Sequence, residues 1–326
     1  MLYLDMTDET LNAMRHMYVF SPQELASKAD EVLDLCTEYC NAFYEPPDSL
    51  AAKNVWDKVQ AREHRDTPSK TEYVRQVTKT QALLKNKLPL IDLFASYNCN
   101  LKCANCVSGS PFCSSGYYCY PTPRELENSL NKLVDLCGPN RLPLGFNVVG
   151  GEPLLNPSIV EFVTTSRKVL GDDAEIHLTT NGLLIPRLGK QLLTALARTR
   201  VTLQVSVYLK LKTKFIDLNN EQSTKDCVKC IGHECYTVPR VRLIDSCCTT
   251  PLFPDSGKLF YCGPLARLEI TGRGNQLVEG VEGDVVTLDS LGNYEELLAF
   301  HQKSSCPHAL KCGFNRENWT WWSQVP

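Results

Sequence analysis

From Leu88 to Val207 the chain alternates short apolar runs with segments of helical periodicity, and no other feature narrows its fold as far. Leu88–Ala95, Gly145–Val149, Ala174–Thr180 and Val201–Val207 read as strands. Pro123–Leu136, Pro157–Leu170 and Pro186–Ala197 read as the helices between them. Strands alternating with helices imply βαβ units, a parallel sheet and right-handed crossovers. In sheets of this kind ligands bind at the C-terminal ends of the strands. The conspicuous residues of this chain fall there.

The flanks have a different character. Residues 1–50 carry ten acidic side chains against Arg15 and Lys28, whereas residues 53–87 carry nine Lys or Arg against Asp57, Glu63, Asp66 and Glu72. Ser21 is a good N-cap with Pro22 behind it. Leu25, Ala29, Val32, Leu33 and Cys36 then recur at helical spacing until Pro46-Pro47 ends the helix. Residues 53–87 read as two helices broken near Thr67-Pro68. The opposite charges imply solvated faces that pair with each other, or else a docking surface for a partner. After Tyr208 the rhythm weakens into a stretch with Cys227, Cys230, Cys235, Cys247, Cys248 and Cys262. A short helix at Tyr294–Lys303 precedes Cys306 and Cys312. The chain therefore divides into a helical N-terminal appendage (1–87), an α/β core (88–245) and a Cys-rich extension (246–326).

Composition excludes several classes. With 43% hydrophobic and 22% charged residues the chain is not disordered. A net charge of −3 argues against electrostatically driven nucleic-acid binding. Apolar runs such as Leu88–Ile91 fall far short of the ~18 residues that span a bilayer. Met1–Asp5 lacks the basic and apolar regions of a signal peptide, so a cytoplasmic location is expected. In a reducing cytosol, sixteen cysteines imply metal or redox chemistry rather than disulfides. Some are simply small buried hydrophobes, and Cys137, on an apolar helical face, is read as one.

Cys99, Cys103 and Cys106 form a C-x3-C-x2-C loop directly after the first strand. Three thiolates can ligate one face of an iron–sulfur cube, leaving one iron open to a chelating substrate. The alternative is a structural zinc completed by a fourth ligand elsewhere. The strand Gly145–Val149 runs into Gly150-Gly151-Glu152-Pro153. The glycines let backbone approach a ligand closely, and Glu152 offers a carboxylate. Without a lysine this is a poor phosphate loop, but it suits an ammonium group. An ordinary strand-to-helix turn is the plainer reading of the same residues.

Together the two motifs resemble the radical S-adenosylmethionine superfamily, over roughly residues 88–210. The resemblance implies a partial (βα)6 barrel, a 4Fe-4S cluster and S-adenosylmethionine chelating the open iron. It makes Cys99, Cys103 and Cys106 the cluster ligands. It places Gly150, Gly151 and the catalytic-site carboxylate Glu152 at the methionine ammonium. Thr180 and Asn181, within Thr179-Thr180-Asn181-Gly182, and Ser206 match further cofactor-binding positions. An aromatic residue often precedes the third cysteine and touches adenine, but Asn105 stands there, so Tyr97 or a later residue is expected to make that contact. The chemistry implied is reductive cleavage to a 5′-deoxyadenosyl radical that removes a substrate hydrogen. The loop Val107–Pro121, with Cys113 and Cys119, either lines the site or packs upon itself.

The C-terminal cysteines resemble the auxiliary-cluster extensions called SPASM or twitch domains. Cys248 (or Cys247), Cys262, Cys306 and Cys312 would then hold one auxiliary iron–sulfur cluster, with a hairpin around Gly257 between them. Zinc on Cys227, Cys230 and Cys235 with His233 nearby, or free thiols, are the alternatives. The resemblance further implies a reductant protein such as flavodoxin or ferredoxin. It leaves two substrate classes: a peptide or protein, which would use the appendage as a docking surface, or a small polar metabolite, which would need only a polar pocket. The rival outside the enzyme class is a non-catalytic zinc or iron–sulfur interaction protein.

Overall fold

The computed structural model describes residues 17–46, 48–66, 88, 90–103, 106, 108–113, 120–138, 141–209, 214–216, 249–261, 263–302 and 319–321. Before the barrel come β1 (Met17–Phe20), α1 (Pro22–Ser27), α2 (Ala29–Tyr44) and α3 (Leu50–Asp66). The barrel then runs β2 (Leu90–Ser96), α4 (Pro123–Cys137), β3 (Gly145–Gly150), α5 (Ile159–Leu170), β4 (Ile176–Thr180), α6 (Ile185–Arg198) and β5 (Val201–Ser206). These four strands lie side by side, parallel and in chain order. The parallel α/β sheet expected from the alternation is what forms, consistent with the partial barrel that the resemblance implies.

Helix starts follow the local chemistry. Ser21 caps α1 in a reciprocal box with Glu24, and Thr122 caps α4 in the same way with Glu125, each with proline at the first turn. The helix expected to run unbroken from Ser21 is divided at Lys28, whose backbone leaves the helical region (φ −133°, ψ 31°). α3 ends at Asp66, just ahead of Thr67-Pro68; the helix expected beyond that break lies outside the described residues.

Two edges of the sheet were not legible as strands. β1 pairs antiparallel with β5, setting Met17 opposite Ser206. On the far side, β7 (Thr249–Phe253) runs parallel to β2, and β8 (Lys258–Phe260) and β9 (Val285–Thr287) follow it antiparallel. Pro251 and Pro254 disguise β7, since proline ordinarily argues against a central strand. Pairing with β8 is taken up only from Leu252. The expected hairpin around Gly257 is therefore present. Between β9 and the hairpin lies α7 (Gly263–Ile270), and α8 (Tyr294–Gln302) follows. A separate two-stranded ladder joins β6 (Lys214–Ile216) to β10 (Trp319–Trp321). Strands from both flanking segments thus extend the core's own sheet.

The period-2 alternation sorts the strands into two faces. Leu93, Val148, Leu178 and Leu203 are wholly buried on one face, in a core shared with the helices. The opposite face is polar, carrying Asp92, Asn147, His177, Thr179 and Gln204. Cys137 is 3% exposed within the core, as its apolar helical position implied. Opposite charges on the N-terminal helices pair with one another: Lys58 meets Glu38, and Arg62 meets Glu24 while lying over the Phe20 ring at 4.6 Å.

Candidate active site

The end of β2 and the turn after β3 are one hydrogen-bonded unit. Gly151 N–H donates to the Ser96 carbonyl at 2.8 Å, and Glu152 N–H to the Asn98 carbonyl at 2.8 Å. Ser108 Oγ donates to the Gly150 carbonyl at 3.1 Å. The cysteine loop is thereby stitched at both ends to the Gly-Gly-Glu turn. This contact is also what the glycines are for. Gly150 has φ +146°, and a Cβ there would collide with the Ser96 carbonyl. A Cβ at Gly151 would overlap the Asn98 carbonyl and lie 2.6 Å from Ser110 Oγ. The close approach demanded of these glycines is made to neighbouring backbone. Gly150→Ala is expected to cost about 3 kcal/mol through strain and overpacking. The check is a lowered urea midpoint at unchanged slope.

Glu152 is fully buried. Its Oε1 accepts from Thr180 Oγ1 at 2.6 Å and from Leu154 N–H at 3.0 Å; its Oε2 accepts from Asn181 N–H at 2.8 Å. Burial pushes its pKa up to about 7, outweighing the lowering by these three donors. A carboxylate has about four acceptor sites, so one remains, on Oε2, for a cation. Thr180 and Asn181 therefore touch the turn before they touch any cofactor. Asn181 also donates from Nδ2 to Asn100 Oδ1 at 2.7 Å and to Cys99 Sγ at 3.9 Å, tying the end of β4 to the cysteine loop.

Cys99, Cys103 and Cys106 form no disulfide and are half-buried. Leu101 N–H donates to Cys99 Sγ at 3.3 Å. Burial, the Glu152 carboxylate and the two other thiols push the Cys99 thiol up. The neutral thiol is therefore favoured there, and a bound iron cluster would supply the positive charge that makes a thiolate of it. No three His, Cys, Asp or Glu among the described residues are gathered to hold a single ion. A cube spreads its ligands wider than one ion does, and the donor set fits a cluster.

Sequence reasoning missed Tyr39. From α2 its hydroxyl accepts from Tyr208 N–H at 3.0 Å and donates to the Ser206 carbonyl at 3.4 Å, so the N-terminal segment holds the end of β5. Ser206 itself is 6% exposed at that mouth. The i, i+4 apolar pattern that placed Tyr39 on the inner face of α2 was its only signal. Tyr39→Phe removes the hydroxyl that accepts from the Tyr208 N–H and is expected to cost about 1 kcal/mol, measured by urea unfolding. Tyr97, expected as a candidate for adenine contact, is instead a core residue. It is fully buried, its hydroxyl donates to the Asp255 carboxylate, and its ring stacks 6.1 Å from Phe94. The later aromatic that does lie within electrostatic reach of all three thiols is Tyr208. Cys113 packs half-buried against the core. Asn105, Cys119, Cys227, Cys230, Cys235, Cys247, Cys248, Cys262, Cys306 and Cys312 lie outside the described residues.

No family model matches the chain. Curated GTP 3′,8-cyclases do. That of Lactiplantibacillus plantarum is 36% identical over 99 residues, 29% of this chain and 26% of the relative. That of Microcystis aeruginosa is 31% identical over 121 residues, 36% and 33% of the two chains. The chain is thus similar to about a quarter to a third of the length of these relatives. Over that part the chain is similar to radical S-adenosylmethionine enzymes. Among solved structures, BtrN in complex with AdoMet and 2-DOIA covers 58% of this chain and 79% of its own, at 15% identity and a TM-score of 0.35. Among the described residues no helix is long and apolar enough to cross a membrane.

Proposed function

We propose that this protein reductively cleaves S-adenosylmethionine and uses the 5′-deoxyadenosyl radical to take a hydrogen atom from a small polar molecule. The observation that carries this reading is the stitching of the Cys99–Cys106 loop to the Gly150–Glu152 turn. Cys99, Cys103 and Cys106 would hold the 4Fe-4S cluster, and Glu152 would receive the methionine ammonium on its remaining acceptor site. When bound, cluster and cofactor supply the electron and the radical. The chain's residues orient them and keep water from them.

The polar face of the sheet supports a small substrate over a peptide. Asn147 Nδ2 donates to Asp92 Oδ1 at 3.3 Å, and Gln204 Nε2 donates to His177 Nδ1 at 3.2 Å. Burial holds the His177 pKa down at about 4, so the ring is neutral and its Nε2–H donates to Glu175 at 3.0 Å. Thr179 Oγ1 lies 2.8 Å from Asn147 Oδ1 and 3.0 Å from Gln204 Oε1. Its single hydrogen faces two acceptors. The ladder therefore has acceptor capacity to spare for a substrate hydroxyl or amine. For the extension, we propose that Cys248, Cys262, Cys306 and Cys312 hold an auxiliary cluster, a reading supported by the β7–β8 hairpin. A flavodoxin- or ferredoxin-type carrier would supply electrons.

The test is anaerobic reconstitution followed by dithionite and S-adenosylmethionine. 5′-Deoxyadenosine and methionine are expected in equal amounts, and formation of neither would contradict the proposal. Cell-extract fractions that raise 5′-deoxyadenosine formation should pass a low-mass filter. Stimulation retained with the macromolecules would favour a peptide.

A further inference from the structure

The last turn of α7 carries a cation, Arg267, that no carboxylate among the described residues answers. Its Nε is buried without a hydrogen-bond partner among the described residues. The one carboxylate on the helix, Glu269, is taken by Lys258 at 2.7 Å. Arg273 opposes the charge of Arg267, and the anion within electrostatic reach that favours it is the Cys106 thiolate.

Packing explains why the charge lies there. A Cβ on Gly109 would sit 2.6 Å from Arg267 Cγ and 3.1 Å from Thr271 Cγ2, so the side-chain stem lies against that glycine. Gly109 N–H donates to the Cys106 carbonyl at 3.2 Å, which closes the two residues into one turn. Ser108, inside the turn, is tied to the Gly150 carbonyl at 3.1 Å. The guanidinium is therefore seated on the turn that carries the third cysteine of the triad. A partly buried cation without a counter-charge is costly. Three thiolates around a cluster would supply the counter-charge. A reduced cluster holds one more negative charge than an oxidised one, so a fixed cation close by stabilises the reduced form.

We infer that Arg267, reaching in from α7, is the fixed positive charge that raises the reduction potential of the cluster held by Cys99, Cys103 and Cys106. This rests on the proposed function. It gives the C-terminal segment a part in the electron transfer of the barrel. One electron passes from a flavodoxin- or ferredoxin-type carrier to the cluster, and Arg267 offsets the negative charge that the cluster gains. No contact between Arg267 and substrate or cofactor is needed.

The experiment is a redox titration, followed by electron paramagnetic resonance, of the anaerobically reconstituted protein and its Arg267→Gln, Arg267→Met and Arg267→Lys variants. The signal followed is the one that responds to S-adenosylmethionine, which sets any auxiliary cluster apart. At the parent's midpoint, the ratio of reduced to oxidised cluster is expected to fall about tenfold in the two neutral variants, the scale of a unit charge roughly 10 Å away in partly buried surroundings. For a one-electron couple that is a downward shift of about 59 mV. Arg267→Lys keeps the charge and should stay near the parent. A parent-like midpoint in the neutral variants overturns the inference. So does an equal shift in Arg267→Lys, which would trace to packing. Loss of the cluster from all three variants overturns it for the same reason, whereas loss from the neutral pair alone supports it, because only charge separates them from Arg267→Lys. Absence of any cluster that responds to S-adenosylmethionine in the parent protein would instead refute the proposed function.

Discussion

Replacing Cys99, Cys103 and Cys106 together by alanine abolishes 5′-deoxyadenosine formation and removes about four irons per chain. The reason is local. The three thiols sit on one loop whose start is fixed by the Gly151–Ser96 and Glu152–Asn98 hydrogen bonds and whose end is fixed by Ser108 on the Gly150 carbonyl. No other described cysteine shares that loop's contact with Asn181 and Glu152. The triple change deletes the ligands while leaving those backbone bonds in place, so the folded barrel should survive. The variant also isolates the extension. If Cys248, Cys262, Cys306 and Cys312 hold an auxiliary cluster, about four irons should remain. Zinc in their place would favour a structural knuckle, and no metal would sink the auxiliary site. Undiminished 5′-deoxyadenosine from the triple variant would overturn the assignment of the triad.

Glu152→Ala is the second large effect, on both stability and cofactor binding. It strands Thr180 Oγ1, Leu154 N–H and Asn181 N–H in a buried site without their acceptor. At about 1–3 kcal/mol for each unsatisfied group, a total loss of about 4 kcal/mol is expected. Loss of the carboxylate should also abolish measurable cofactor binding. Glu152→Gln keeps the shape but sets an amide against those donors, and should weaken cofactor binding more than it weakens the fold. The pH dependence has a definite sign. The carboxyl pKa rises on folding from 4.5 to about 7 through burial. The protonated form is therefore the one folding favours. Its contribution is full below pH 4.5 and is lost as pH climbs to about 7, a change of roughly 3 kcal/mol. Cofactor-free protein should show this decline in urea unfolding, and Glu152→Gln should not. A parallel decline in both would mean that another group titrates.

The alternation of strand and helix, the cysteine spacing and the Gly-Gly-Glu-Pro turn were all legible because each is written in adjacent residues with a fixed period. What adjacent residues cannot show is which segment is borrowed from far away. Tyr39 meets Ser206 and Tyr208 across more than 160 positions, and Arg267 meets Gly109 from the opposite end of the core. β7 was hidden by its prolines and β1 by its brevity, so both sheet edges escaped a reading built on periodicity. The glycines of the turn were recognised as a place of close approach, but their partner is the Ser96 and Asn98 backbone. That exchange explains why the turn and the cysteine loop cannot be separated: the residues that bring the glycines in also lead into the triad. Glu152 was recognised by its charge. Its three internal donors became visible only once β4 was placed beside β3.

The most direct measurement of whether the cysteine loop and the Gly-Gly-Glu turn form a single site is the electron paramagnetic resonance spectrum of the reduced, anaerobically reconstituted protein, recorded before and after saturation with S-adenosylmethionine. Chelation of an open iron held by Cys99, Cys103 and Cys106 should change the cluster's signal. That change should be lost in Glu152→Ala, while the iron content stays at the parent level. A cluster signal that S-adenosylmethionine leaves unaltered in the parent protein would contradict the account.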